Sequence, residues 1–260
     1  MSEHNQTPSP DAPLPRRSRV SMALEARLTG AEAADALLAM AAEVIRSKGD
    51  DETQQRIGAQ ARRVAGPDAI GHLLELAETR VVGLTTLAVA LRFRGAEAVI
   101  SVLARLHEAE DELARRAYLD LAIALSRFPE LRQTLTASLL QDLDSPTWFV
   151  VRNAIKLLSD MGADVPTRYD LATHGSREVR LELSKALARR PRDENSVDTL
   201  VFLLGDPDAA VRYSAVVALG ASNSSRARAA LSLHAGIETD GETLMACDTI
   251  TRHGDFRKSA

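Results

Sequence analysis

The sequence predicts an all-α chain built from repeated pairs of short antiparallel helices. Apolar residues recur at helical spacing along almost the whole chain, no segment alternates with a period of two, and three stretches can be laid over one another. Composition agrees with this. Of 260 residues 45% are hydrophobic but only 3% aromatic, so a core must be made of Leu, Ala, Val and Ile. Leu and Ala lose little conformational freedom on entering a helix, which suits closely packed helices better than a sheet.

Taken in order, residues 1–20 (MSEHNQTPSPDAPLPRRSRV) are rich in proline and poor in aliphatic side chains. Such a segment cannot bury enough surface to offset its ordering entropy, so a disordered tail is expected there, its PRRSR cluster solvated. Residues 21–65 follow as an N-terminal cap region. In it Ala34, Leu37, Leu38, Ala41, Val44 and Ile45 fall on one helix face, and Gly49 supplies a stop. Six first helices come next: PDAIGHLLELAE, AEAVISVLARL, PELRQTLTASLLQDL, TRYDLATH, NSVDTLVFLLG and SRARAALSLHA. Each precedes a second helix, beginning with TRVVGLTTLAVALRFRG and LARRAYLDLAIAL. Glycines and prolines punctuate the series, among them Gly66-Pro67, Pro146, Pro191 and Gly220; Pro146 is expected to start a helix, since proline in a first turn costs nothing.

Three second helices carry the repeat most clearly: SPTWFVVRNAIKLL, GSREVRLELSKAL and DPDAAVRYSAVVALG. Each has Val-Arg near its start, at Val151-Arg152, Val179-Arg180 and Val211-Arg212. Three residues after each arginine stand Ile155, Leu183 and Ala215, and six after stand Leu158, Ala186 and Ala218. With the valines these make one buried stripe at helical spacing. The pattern Asp206-Pro207-Asp208 through Val211-Arg212 to Gly220 resembles the HEAT repeat of the bacterial phycobilisome-lyase-like class, and Trp148 to Leu158 resembles a variant of that unit. The resemblance implies a right-handed α-solenoid of stacked antiparallel helix pairs over residues 21–260, with repeats over 66–235. First helices then line the outer face and second helices the concave face, and each pair is stabilised by its neighbours. Residues 236–260, where no Val-Arg survives, read as a degenerate C-terminal cap.

Nothing in the sequence assembles a catalytic constellation, so the expectation is a protein that is not an enzyme and uses no cofactor. One cysteine, Cys247, allows neither an internal disulfide nor a cysteine metal site. His107-Glu108 is a single His-Glu pair where a di-iron HEAT enzyme needs several converging ones. A base-excision enzyme of HEAT type, or another DNA-binding protein, is the alternative reading; Trp148, Asp144, Arg152 and Lys156 suggest it superficially. A net charge of −4 and scattered aromatics argue against nucleic acid. No apolar run of membrane-spanning length or secretion signal stands out, so a cytoplasmic protein with no membrane association is expected.

The recurring arginines are expected to form a structural ladder. An arginine offers five donors in a fixed fork and can tie several turn carbonyls or carboxylates together. Asp144 is the expected partner of Arg152, and Asp206 and Asp208 those of Arg212. His174-Gly175-Ser176 precede Arg180, so that rung should be weaker or use carbonyls. Trp148 is expected to cover the junction with the preceding pair; if its ring is buried its loss would cost a core increment of roughly 3–5 kcal/mol, and unchanged stability with lost partner binding would place it on a functional surface. The residues one and four after each arginine (Asn153, Lys156, Leu181, Ser184, Tyr213 and Val216) would point to the concave face, and of these Asn153, Lys156, Leu181, Tyr213 and Val216, together with Lys185, are candidates for partner contact. Two readings compete for them, a binding strip along the concave face for a protein or peptide, and packing between adjacent second helices. The leading expectation is a non-catalytic scaffold or adaptor; a module within a larger assembly is a further one.

Overall fold

The computed structural model describes residues 28–48, 50–64, 68–190, 193–222 and 224–253, and among them only helices and connecting turns occur. The expected disordered tail over 1–20, and the punctuating Gly49, Gly66-Pro67 and Pro191, lie outside the described residues. The chain divides into two compact units, Met1–Ala98 and Val99–Ala260.

In the first unit α1 (Gly30–Arg46) and α2 (Asp51–Ala61) precede α3 (Ala69–Thr79) and α4 (Leu84–Arg92). A capping box opens α1. The Thr29 side chain accepts from the Glu32 amide, and the Glu32 carboxylate accepts from the Thr29 amide, so two orphan donors are satisfied. α1 packs on α3 and α4. Its buried stripe is Ala33, Ala34, Leu37, Met40 and Ala41, rotated from the expected one: Ile45 is exposed, and Leu38 and Val44 are only partly covered. The turn after α1 places Lys48 in the left-handed region, at φ 44°.

The second unit begins within α5 (Ala96–Glu108) and continues through α6 (Glu112–Leu125), α7 (Pro129–Asp142), α8 (Trp148–Asp160), α9 (Tyr169–Ala172), α10 (Arg177–Leu187), α11 (Glu194–Leu203), α12 (Ala209–Gly220), α13 (Ser225–Ala235) and α14 (Gly241–His253). Each even-numbered helix from α6 to α12 packs against the next even-numbered one, so the second helices form a continuous row. α9, α11 and α13 form a row of first helices behind it. The stripe Val151, Ile155, Leu158, Val179, Leu183, Ala186, Val211, Ala215 and Ala218 is buried throughout. Fully burying one such leucine is worth about 1.5–3 kcal/mol, and a lone pair of helices has no surface against which to bury it. Helix α8 starts at Trp148 with Thr147 as N-cap, so Pro146 precedes the helix rather than starting it.

Gly220 differs from its expected role as a stop. It is the last residue of α12, and a Cβ built on it would sit 2.6 Å from Ile250 Cδ1 of α14. The absent side chain lets two second helices approach each other. Gly220→Val should therefore lower stability by about 1–3 kcal/mol through overpacking. In a urea double-mutant cycle Gly220→Ala and Ile250→Ala should couple by at least about 0.5 kcal/mol, and strict additivity would show that no close contact exists.

Candidate functional site

The recurring arginines do form a ladder, in a register different from the expected one. Arg180 donates from Nη1 to the carbonyl of His174 at 2.6 Å, and from Nε and Nη2 to Asp206 Oδ2 and Oδ1 at 2.6 and 3.0 Å. Arg212 repeats the arrangement. It donates to the carbonyls of Asp206 and Pro207 at 2.9 and 3.2 Å and to both oxygens of Glu238 at 2.8 Å. Each arginine thus holds the carbonyls of its own preceding turn and the carboxylate of the following turn. The Asp206 carboxylate belongs to Arg180 rather than Arg212, and Asp208 caps α12 while pairing with Arg177 at 3.1 Å. The Arg180 rung, expected to be weak, uses carbonyls and a carboxylate together. Both ion pairs are largely buried, with side-chain exposures of 11% and 3% for Arg180–Asp206 and 15% and 1% for Arg212–Glu238.

The receiving side chain always sits two residues before the helix N-cap and also braces the cap. Asp206 Oδ1 accepts from the Asp208 amide, Glu238 Oε1 from the Asp240 amide, and His174 Nδ1 from the Ser176 amide. Hydrogen bonds from Arg212 pull the Glu238 carboxyl down to about 2 against the opposing effect of burial, with the Asp240 and Thr239 amides and His234 assisting. Sequence inspection missed Glu238 because it lies beyond the last Val-Arg. It also missed Arg115 of α6, which donates to the carbonyls of Ala109 and Glu110 at 3.1 and 3.3 Å, the same own-turn contact.

Arg152 departs from this pattern. Its nearest upstream acid, Asp144, pairs instead with Arg168 at 2.7 Å. The first turn of α8 holds one residue more before its Val-Arg than those of α10 and α12. The Thr147 carbonyl already accepts from Val150 and Val151, while Ser176 and Asp208 carbonyls accept from the arginine amides themselves. Arg152 therefore turns aside. Its Nη2 donates to Asn153 Oδ1 at 2.7 Å, and its guanidinium stands 5.8 Å from the centre of the Trp148 ring. Burial, and next the like charge of Arg115, pull its pKa below the usual arginine range, with Glu182 and Glu178 opposing. Arg152 Nε and Asn153 Nδ2 are buried without a hydrogen-bond partner. Trp148 is 41% exposed, contacts Phe149 edge-on, and does not seal the junction, so the core-sized cost expected for its loss does not apply.

A groove of about 620 Å³ runs across the second-helix row of this unit. Its lining includes the apolar side chains of Leu181, Tyr213 and Val217 together with Lys185 of α10 and Asp240 and Glu242 at the start of α14. Three of the six suggested partner-contact residues line it: Leu181, Lys185 and Tyr213. Lys156 is on α8 and bonds Asp160 at 2.8 Å. Asn153 and Val216 are wholly buried and do not line it. Ser184 of α10 and Ser214 of α12 meet at 2.9 Å.

Other chemistry is sparse. Burial pushes the Cys247 thiol up to about 11, which keeps it protonated and unreactive at neutral pH. His107 lies 3.3 Å from Asp142 rather than joining Glu108 in a ligand pair. Among the described residues no group of three or more His, Cys, Asp or Glu side chains converges in a way that could hold a metal ion.

Two measurements separate the rungs. Asp206→Ala leaves Arg180 buried without its counter-ion and should cost about 3–5 kcal/mol in urea denaturation, whereas Arg152→Gln, which loses no carboxylate, should cost less than about 1 kcal/mol. Equal costs would count against the distinction. Glu238 gives a pH signature, because its folded pKa of about 2 lies below the ordinary 4.5. Its contribution is complete above pH 4.5 and is lost as pH falls from there toward 2. Glu238→Gln should destabilise the protein at neutral pH and flatten the melting-temperature profile within that acid window; an unchanged slope would remove Glu238 from the account.

Residues 165–247 match the family model for HEAT repeats. The matched segment runs from just before α9 into α14 and includes the Arg180 and Arg212 rungs and the groove-lining residues. No curated protein matches the chain. The helical repeat, the buried stripe and this match together support a HEAT-repeat protein with an α-solenoid fold.

Proposed function

We propose that the chain is a non-catalytic scaffold or adaptor that holds a protein or peptide segment in the groove across α10, α12 and the start of α14. The groove itself carries this reading. Its volume of about 620 Å³ falls in the range of small binding sites, and its apolar lining is flanked by opposite charges that would fix the direction of a bound segment. Tyr213 is the kind of residue that anchors such contacts, since a rigid ring brings large area at low entropic cost. HEAT repeats generally mediate protein–protein interaction, which supports the same choice.

A DNA-binding or base-excision role has less support. Asp240 and Glu242 line the groove, and the net charge of −4 gives no global electrostatic attraction for phosphate. Among the described residues no helix is long and apolar enough to cross a membrane. A cytoplasmic location without membrane association belongs to this proposal. The Asp206 to Gly220 pattern supports the bacterial phycobilisome-lyase-like subclass of HEAT repeats, and we read residues 21–260 as one array.

Photo-crosslinking in the native cell tests the groove. A crosslinking residue at Val217 should capture a discrete protein, a control at Asn195 on α11 should not, and Tyr213→Glu should reduce capture at 217 by at least about tenfold. Capture of nucleic acid at 217, or identical adducts at 217 and 195, would overturn the proposal.

A further inference from the structure

The open surface of the second-helix row does not end with the groove. Counted from the N-caps Ser176, Asp208 and Asp240, the fifth residue of three successive second helices is Leu181, Tyr213 and Met245. The first two line the groove, and on the α10 side they are joined by Lys185 and Ala188, the ninth and twelfth residues from Ser176. On α14 the fifth, ninth and twelfth residues are Met245, Thr249 and Arg252. These three line a second hollow of about 400 Å³, together with Gly241, Leu244 and Asp248. The two hollows share the first turn of α14, where Gly241 of one stands between Asp240 and Glu242 of the other. Since α12 packs on both α10 and α14, Tyr213 belongs to the middle helix of the three. Met245 is 71% exposed, an apolar side chain held open at the position where the two preceding helices place groove residues. A thioether chain adapts its shape to what it meets, which suits a contact surface.

Given the groove reading, on which this rests, we infer that Leu181, Tyr213 and Met245 receive one partner segment in polyproline II conformation. It crosses α10, α12 and α14 in turn, with an apolar side chain at every third position and a Lys or Arg between the anchors of Tyr213 and Met245. Spacing decides the conformation. Packed helices lie roughly 8–10 Å apart, so equivalent residues of the row recur at about that interval. A polyproline II chain has three residues per turn and rises about 3.1 Å per residue, so positions i, i+3 and i+6 share one face about 9.3 Å apart. A β-strand turns i and i+3 to opposite faces, and its same-face positions recur at roughly 6.8 Å. A strand would also need a sheet edge to pair with, and none occurs among the described residues. An α-helix brings apolar positions to one face every three or four residues, about 5 Å along its axis and roughly half the interval here. A polyproline II backbone stays solvated, so it asks only for side-chain contact, and Tyr213 supplies the aromatic surface on which such segments pack. Charge sets the register. Between Tyr213 and Met245 the segment passes Asp240 and Glu242, which favour a cation, whereas Lys185 beside the Leu181 anchor disfavours one.

Selection of a random peptide library on the full chain tests this. Wild-type protein should select apolar residues at i, i+3 and i+6, proline among the residues between them, and Lys or Arg in one of the two intervals only. Met245→Ser should lose the outer anchor from the consensus, keep the other two, and bind the wild-type consensus peptide at least about tenfold more weakly. Glu242→Lys should remove the cation from the selected set and keep all three anchors. Glycine in place of the peptide's intervening prolines should weaken binding, because a more flexible chain loses more entropy on ordering. A consensus untouched by Met245→Ser would confine contact to the groove and overturn the extension to α14. Anchors two residues apart, or three and four apart in alternation, would mark a strand or a helix and overturn the conformation while the groove stands. Selection indifferent to Tyr213→Glu, or recovery of no peptide, would overturn the groove reading and this extension with it.

Discussion

The structure of the second unit depends on one recurrent interaction, an arginine that holds the carbonyls of its own turn and the carboxylate of the next. Stacked helix pairs have an inherent problem at their turns. Carbonyls and amides at helix ends lack intrahelical partners, and a short turn offers little apolar surface to fix its position. The fork of Arg180 or Arg212 meets both needs at once. It satisfies two turn carbonyls, and by engaging Asp206 or Glu238 it sets the register between one second helix and the following turn. Once that register is set, Val179, Leu183 and Ala186 meet Val211, Ala215 and Ala218 along the row, and the burial of this stripe supplies the stabilisation. The arginines orient what the hydrophobic stripe holds together.

Part of this was legible in the sequence and part was not, for physical reasons. The stripe was legible because burial along a helix imposes a spacing that the residues must carry themselves. The arginines were legible by their recurrence. Their partners were not, since closeness in sequence pointed to the acid just upstream, whereas the acid in space belongs to the following turn, 26 residues on for Arg180 and for Arg212. Arg152 shows the same limit at finer scale. One extra residue in the first turn of α8 redirects its guanidinium, and no local pattern around Trp148 announces that. Asn153 and Val216 were placed on the right helices, but a buried position of a helix row and one at its open face differ by only a fraction of a turn. Of the groove, Leu181, Lys185 and Tyr213 could be picked out, while Asp240 and Glu242 come from a turn and helix start that resemble no other repeat.

The groove and the arginine ladder share one row, and their chemistry changes along it. From α10 toward α14 the ladder arginines are paired with carboxylates, and the groove beside them is lined by Leu181, Tyr213 and Val217. Toward α6 and α8 burial, and next the like charge of Arg115, disfavour the charged form of Arg152, with Glu182 and Glu178 opposing. A segment lying in the groove would meet apolar contact flanked by Lys185 of α10 and by Asp240 and Glu242 at the start of α14, and such an arrangement fixes its polarity.

Local rules in a folded chain are satisfied wherever stability alone decides, and a departure that brings no visible gain points to another demand. The completed rungs show that this fold can neutralise its arginines with residues two before a helix cap, so the means were available at Ser145 and His174. The other demand here is the longer first turn of α8, which turns the Arg152 guanidinium aside to Asn153 while Ser145 and His174 brace only the caps. Its cost is local: Arg152 Nε and Asn153 Nδ2 are buried without acceptors, a cost to stability that the Arg180 and Arg212 rungs avoid.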